Sequence, residues 1–107
     1  MPPSMIIRAL SNAVSGLHSS QKRLAASSHN VANLLTDDFQ PLRTVQSERR
    51  DGGSSAQVER AASPQPVNLA REFVSQTLAS LQFRASLRTL DTAIDMANET
   101  TKIGRDR

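Results

Sequence analysis

Residues 67–104 read VNLAREFVSQTLASLQFRASLRTLDTAIDMANETTKIG, and no other part of the chain has as clear a pattern. The apolar residues recur at alternating steps of three and four, which is the spacing of a long amphipathic helix. Asn68 is a suitable N-cap, and Glu72 places a negative charge in the first turn, where the helix dipole favours it. Gly104 is a natural C-terminal stop. We therefore predict a helix over residues 67–104.

This helix has two apolar faces. Plotted at about 100° per residue, one row contains Phe73, Phe83, Leu87, Leu90 and Ile94, and a second row, roughly opposite, contains Val74, Leu78 and Leu81. A helix that packs against one partner needs only one apolar face. The second face is therefore expected to meet another part of the molecule or another molecule.

The apolar pattern of residues 4–35 predicts a second long helix. Ser4 is a plausible N-cap, and the seam has three-four spacing with polar gaps at Gln21 and Ser28. Its apolar residues are Ile7, Leu10, Val14, Leu17, Leu24, Val31 and Leu35.

Residues 36–66 contain Gly-Gly-Ser-Ser and Ser-Pro-Gln-Pro runs, which are typical of a flexible linker. The predicted fold is all-α, a single structural unit in which two long helices form an antiparallel hairpin, or coiled coil, joined by a long flexible loop.

The composition makes a self-sufficient core doubtful. The 107 residues include no Cys and only three Phe, and Leu, Ile, Val and Phe together number 24, whereas Ser and Ala number 27. Such a chain has few large side chains to bury, so we expect neighbouring molecules to supply the missing contacts. The net charge of +3 is not concentrated in a Lys/Arg cluster. Nucleic-acid binding is therefore not expected, and a small basic DNA-binding hairpin is the weakest alternative.

Residues suited to catalysis or metal binding are sparse. His18 and His29 are eleven residues apart, about 16 Å along a helix, too far to share a metal ion. Asp37 and Asp38 precede a Phe-Gln-Pro segment and are typical of a turn. The sequence has no glycine-rich phosphate loop and no nucleophile elbow. We expect no enzymatic activity, no catalytic residues, no metal and no cofactor.

Each end of the chain carries a set of spaced motifs. At the N-terminal end they are Ala13-Val14-Ser15-Gly16-Leu17, Leu24, Asn30-Val31-Ala32-Asn33, Thr36 and Phe39; at the C-terminal end they are Val67-Asn68-Leu69, Glu72-Phe73-Val74, Phe83-Arg84-Ala85 and Thr101-Lys102-Ile103-Gly104. These motifs resemble the N- and C-terminal signatures of bacterial flagellar rod and hook axial proteins, and the last of them is most like the proximal rod proteins. Three features depart from this family, and one of them is His29, which occupies a position often filled by Asn. Asp38 replaces a Gly that usually serves a positive φ, and the middle segment is short.

The resemblance implies a structural subunit of the basal-body rod, in which paired terminal helices line a tubular assembly. Its partners would be further copies of itself, other rod and axial proteins and the flagellar export apparatus. Type III export would carry the unfolded chain to the periplasm-spanning rod without a cleavable signal peptide, and neither nucleic acid nor a membrane span is implied. The alternative is a soluble helical-hairpin adaptor or regulator that dimerises into a four-helix bundle.

The candidate assembly interface combines the seam residues with three residues of the N-terminal signature. Gly16 permits close helix contact, and the resemblance implies that Asn30 and Asn33 hydrogen-bond within and between subunits. The full set is Leu10, Val14, Gly16, Leu17, Leu24, Asn30, Val31, Asn33, Phe73, Val74, Leu78, Leu81, Phe83, Leu87, Leu90 and Ile94.

Overall fold

The computed structural model describes residues 2–105 and contains four elements. These are α1 (Pro3–Ala32), β1 (Leu42–Glu48), β2 (Ser54–Arg60) and α2 (Leu69–Arg105). The helices run side by side in opposite directions, because Ser27 contacts Glu72 while Gly16 lies beside Ser86. The molecule measures 67 × 22 × 14 Å, so it is a narrow rod rather than a globule.

The all-α prediction is wrong, because the segment expected to be a flexible loop folds into a β-hairpin. β1 and β2 pair antiparallel, from Leu42 opposite Arg60 to Glu48 opposite Ser54. Side chains on β1 alternate between half-buried positions, Leu42, Thr44 and Gln46, and exposed ones. This two-residue period is weak in the sequence because two of these three inward positions, Thr44 and Gln46, are polar.

The turn of the β-hairpin is built by Asp51, Gly52 and Gly53. The Gly52 amide donates to the Arg49 carbonyl, and Gly52 has a φ of 90°, a left-handed conformation suited to glycine. Asp51 accepts hydrogen bonds from the Arg49 guanidinium and from the Gly53 amide. Both hydrogen bonds hold the pKa of Asp51 below its ordinary value, since they favour the ionised carboxylate. The Asp51-Gly52 pair is the sequence signal that could have revealed this β-hairpin.

Polar groups attach the β-hairpin to α1. The Lys22 ammonium donates to the Ala56 carbonyl over 3.0 Å, and the Ser54 amide donates to the Ser15 hydroxyl over 3.0 Å. The Ser19 and Ser54 hydroxyls are 2.9 Å apart. Ala56 is buried beneath these contacts. The β-hairpin is therefore held mainly by hydrogen bonds and small side chains.

Small residues also form the contact between the two helices. Ala13, Gly16 and Ser27 are buried on α1, and Ala79 and Ala93 are buried on α2. Among the large apolar side chains of residues 2–105, Ile6 alone is fully buried. The predicted leucine seam is therefore not the centre of the helix contact, because the small residues bring the helix backbones too close for large side chains to lie between them.

The ends of the helices differ in part from the sequence prediction. α1 begins at Pro3, and its N-cap is Pro2 rather than Ser4. It ends at Ala32, three residues before the predicted boundary at residue 35. At the start of α2, the Asn68 side chain accepts a hydrogen bond from the Arg71 amide, as an N-cap does. Asp38, in the connection after α1, has a φ of 55° and so keeps the left-handed conformation expected of a Gly.

Replacing Gly16 tests the close helix contact. A Cβ added at Gly16 would overlap the Ser86 hydroxyl. We expect Gly16→Val to lower the free energy of unfolding by about 1–3 kcal/mol, because the helices must move apart. Gly104→Val is the matched control, since a Cβ there meets no atom within 4 Å. Equal stability of the two variants in chemical denaturation would contradict the contact.

Replacing Asp38 tests the strained turn. We expect Asp38→Gly to raise the free energy of unfolding by about 1 kcal/mol, because glycine adopts positive φ without steric cost. Asp38→Val should lower it, since a β-branched side chain is disfavoured there. Thermal denaturation of the three proteins measures both changes, and a stabilising valine would show that the left-handed turn is absent.

Candidate assembly surface

Asn30 joins three of the four elements. Its Oδ1 accepts from the Leu42 amide at 2.7 Å, while its Nδ2 donates to the Leu42 carbonyl at 2.7 Å and to Glu72 Oε1 at 3.0 Å. Its side chain is 1% exposed. Ser27 adds a hydroxyl that donates to the main-chain carbonyl of Glu72. Asn30 therefore acts inside the subunit, where it fixes α1, β1 and α2 relative to one another.

Asn33 has a local function at the end of α1. Its Nδ2 donates to the His29 carbonyl, and its Oδ1 accepts from the Thr36 hydroxyl. His29 packs its ring against Phe39 with 5.5 Å between centroids. Asn33 thus closes the last turn of α1 and leads the chain toward β1, and the structure shows it with these intrachain partners.

The predicted seam residues lie on one side of the helix pair. α1 directs Ser15, Ser19 and Asn30 toward the β-hairpin, so the row from Leu10 to Val31 lies on the opposite side. On α2, Gln82 faces the β-hairpin through a hydrogen bond to Gln46, which places the Phe73 row on that same opposite side. We call this surface the open flank; it consists of Leu10, Val14, Leu17, Leu24, Val31, Phe73, Phe83, Leu87, Leu90 and Ile94.

The open flank remains accessible along its whole length. Phe73 is 73% exposed and Leu24 is 47% exposed, and Val14, Val31, Leu87 and Ile94 are also exposed. Leu10, Leu17, Phe83 and Leu90 are half-buried against the neighbouring helix. A contiguous apolar surface of this kind typically marks an interaction site.

The other apolar row of α2 is also uncovered. Val74, Leu78 and Leu81 are each about half exposed. Val74 and Leu78 line a groove beside the β-hairpin, and Leu81 lines a shallower groove that Met5 and Ala9 complete. The second face therefore contacts the rest of the subunit only partly. Gly16, the remaining candidate residue, is buried in the helix contact.

Sites for other chemistry are not evident in residues 2–105. No group of three or more His, Asp or Glu side chains is placed to hold a metal ion there, and His18 and His29 are both exposed. Within the same residues, neither helix has an apolar stretch long enough to cross a membrane. The surface that stands out is apolar.

Comparison with protein-family models finds no match, and comparison with curated proteins finds no significant relative.

Replacing Asn30 tests its central position. We expect Asn30→Ala to lower the free energy of unfolding by about 2–3 kcal/mol, because the main-chain groups of Leu42 and the buried Glu72 lose their partner. Asn33→Ala, on a more accessible side chain, should cost about 0.5 kcal/mol or less. Chemical denaturation compares the two variants. Similar losses would mean that the buried network does not hold the elements together.

Proposed function

We propose that this chain is a structural, non-enzymatic subunit of the bacterial flagellar basal-body rod. Its two helices would assemble with further copies and with other rod and axial proteins, and the resulting tube would transmit torque in motility. The open flank carries this proposal, because a row of large apolar side chains at helical-bundle spacing is only partly covered within residues 2–105. The order and spacing of the terminal motifs, which resemble the rod family, add independent support.

Assembly through the open flank has a favourable energetic basis. Burying a large apolar side chain completely contributes about 1.5–3 kcal/mol. Half-exposed residues such as Leu24 and Leu87 can gain a part of this, on the order of 1 kcal/mol each. Ten residues share the surface, so one contact with a neighbour would gain several kcal/mol before the cost of association is subtracted.

The weak internal core also supports the export part of the proposal. The helices meet through Ala, Ser and Gly, which bury little apolar area, so the isolated subunit gains little stability from packing. A chain with marginal stability is easily kept unfolded, as passage through the type III export apparatus to the periplasm-spanning rod requires. We propose that folding is completed when neighbours cover the open flank.

The same surface supports a second candidate function. Two copies could bury the open flank against each other and form a four-helix bundle, as an adaptor or regulator would. Such pairing uses the same patch on both subunits and closes at a dimer, whereas a tube needs contacts between different patches that continue through the assembly. The size distribution of the purified chain distinguishes the two candidates.

Replacing Leu87 tests the rod proposal. Leu87 is 39% exposed, so Leu87→Asp places on the open flank a carboxylate that still reaches solvent in the free subunit. We expect the variant to be absent from isolated basal bodies and its host to be non-motile, because burying an unpaired carboxylate at a contact is strongly unfavourable. Immunodetection in basal bodies and swimming assays measure these outcomes.

Ser11→Asp is the matched control, since it adds the same charge to an exposed position of α1 outside the open flank. The control should incorporate and swim normally. Normal motility of the Leu87→Asp strain would contradict the rod proposal. A discrete, highly helical dimer at micromolar concentration in analytical ultracentrifugation would favour the adaptor instead.

A further inference from the structure

A groove of about 580 Å³ runs between the β-hairpin and the two helices. Its floor is α1, one wall is β1, the other wall is α2, and the connection from β2 to α2 closes one end. The residues used below are Arg23 on the floor, Thr44 on the β1 wall, and Arg71, Val74 and Leu78 on the α2 wall. The groove lies on the side of the helices opposite the open flank, so it is a separate surface.

The wall formed by β1 is an unpaired strand edge. The Arg49 amide donates to the Gly53 carbonyl and the Ala61 amide donates to the Pro41 carbonyl. These bonds show that the odd-numbered residues of β1 form the hydrogen-bonded pairs with β2. The main-chain N–H and C=O groups of the even-numbered residues therefore point outward, away from β2. The Asn30 side chain occupies the outward groups of Leu42. The outward main-chain groups of Thr44 and Gln46 have no hydrogen bond to the described residues.

Two buried polar atoms beside this edge also lack a partner. Arg23 Nε and the Thr44 hydroxyl oxygen are both shielded from solvent and make no hydrogen bond within residues 2–105. Both residues line the groove. Since both atoms are themselves inaccessible to solvent, an occupant of the groove would reach Arg23 and Thr44 through their other atoms.

The charges around the groove favour an anionic occupant. Four arginines line it, Arg23, Arg43, Arg60 and Arg71, against two glutamates. Glu72 accepts from Asn30, and Glu59 lies 3.9 Å from Arg43. The other three guanidinium groups have no carboxylate within ion-pair distance among the described residues. Val74 and Leu78, each about half exposed, supply apolar contacts on the opposite wall.

We propose that the groove binds an extended acidic peptide segment of a partner protein, which adds to β1 as a third strand. Its main chain would bond to Thr44 and Gln46. Its carboxylates would reach Arg23, Arg60 and Arg71, and its alternate apolar side chains would pack on Val74 and Leu78. This interaction does not depend on the proposed rod function, because it uses a different surface of the subunit.

The test is a titration of the ¹⁵N-labelled full-length chain with the peptide acetyl-Val-Glu-Val-Glu-Val-amide, followed by NMR. We expect the largest shifts at the amides of Thr44 and Gln46. N-methylation of the peptide at alternate residues should distinguish strand addition from looser binding, because only one alternate set faces β1. N-methyl groups on the residues that face β1 should weaken binding at least tenfold. N-methyl groups on the other alternate residues should leave binding nearly unchanged.

Variants of the chain test the charge requirement. Arg71→Gln and Arg23→Gln should each weaken binding of the acidic peptide about tenfold. Arg8→Gln removes an exposed arginine outside the groove and should leave binding unchanged. Arg71 is exposed, so its replacement preserves the fold. Arg71→Gln therefore tests the charge requirement even if Arg23→Gln disturbs α1.

Four results would overturn the proposal. These are equal binding of acetyl-Val-Lys-Val-Lys-Val-amide, equal effects of both N-methylated sets, shifts confined to another surface, and no shift at Thr44 and Gln46. None of them bears on assembly through the open flank, which the Leu87→Asp experiment tests separately.

Discussion

The close approach of α1 and α2 is the constraint on which the other features depend. At this contact Gly16 of α1 meets Ser86 of α2, and Ala79 and Ala93 are also buried on α2. The helix backbones are therefore too near for large side chains to lie between them. Leucines and phenylalanines are therefore placed at the sides of the contact, where a two-helix unit cannot cover them. The exposed apolar surface is thus a geometric result of the small-residue seam.

Polar contacts do much of the positioning that an apolar core does in larger domains. Asn30 bonds to both main-chain groups of Leu42 and to Glu72, so it holds β1 at a fixed distance from α2. The β-hairpin then covers one side of the helix pair and leaves the other side open. The same placement creates the groove beside Thr44, since β1 is held near α2 by Asn30 and by the Gln46–Gln82 bond but does not pack directly against it.

The sequence predicted local features better than long-range ones. Asn68 caps α2 as its residue type indicates, although Ser4 lies inside α1 and α2 continues through Gly104, the predicted stop, to Arg105. The β-hairpin was missed because its strands are largely polar, although Asp51-Gly52 marks its turn. The Asn30 network and the four arginines of the groove bring together residues from separate elements. The spacing of residues within one helix or strand does not predict which residues of different elements meet.

The open flank has the spacing of a helix contact, yet it is partly exposed in the subunit. Its three-four spacing is that of side chains inserted between helices, yet within the subunit residues such as Leu24 and Leu87 are half exposed. A row at that spacing is buried by a facing helix, but within residues 2–105 each long helix already contacts the other through its small residues. The row would therefore be buried by a helix outside the described residues, which in the proposed rod belongs to a neighbouring subunit. The small-residue seam and the open flank lie on different sides of each helix, so contact with a neighbour can bury the open flank without disturbing the seam.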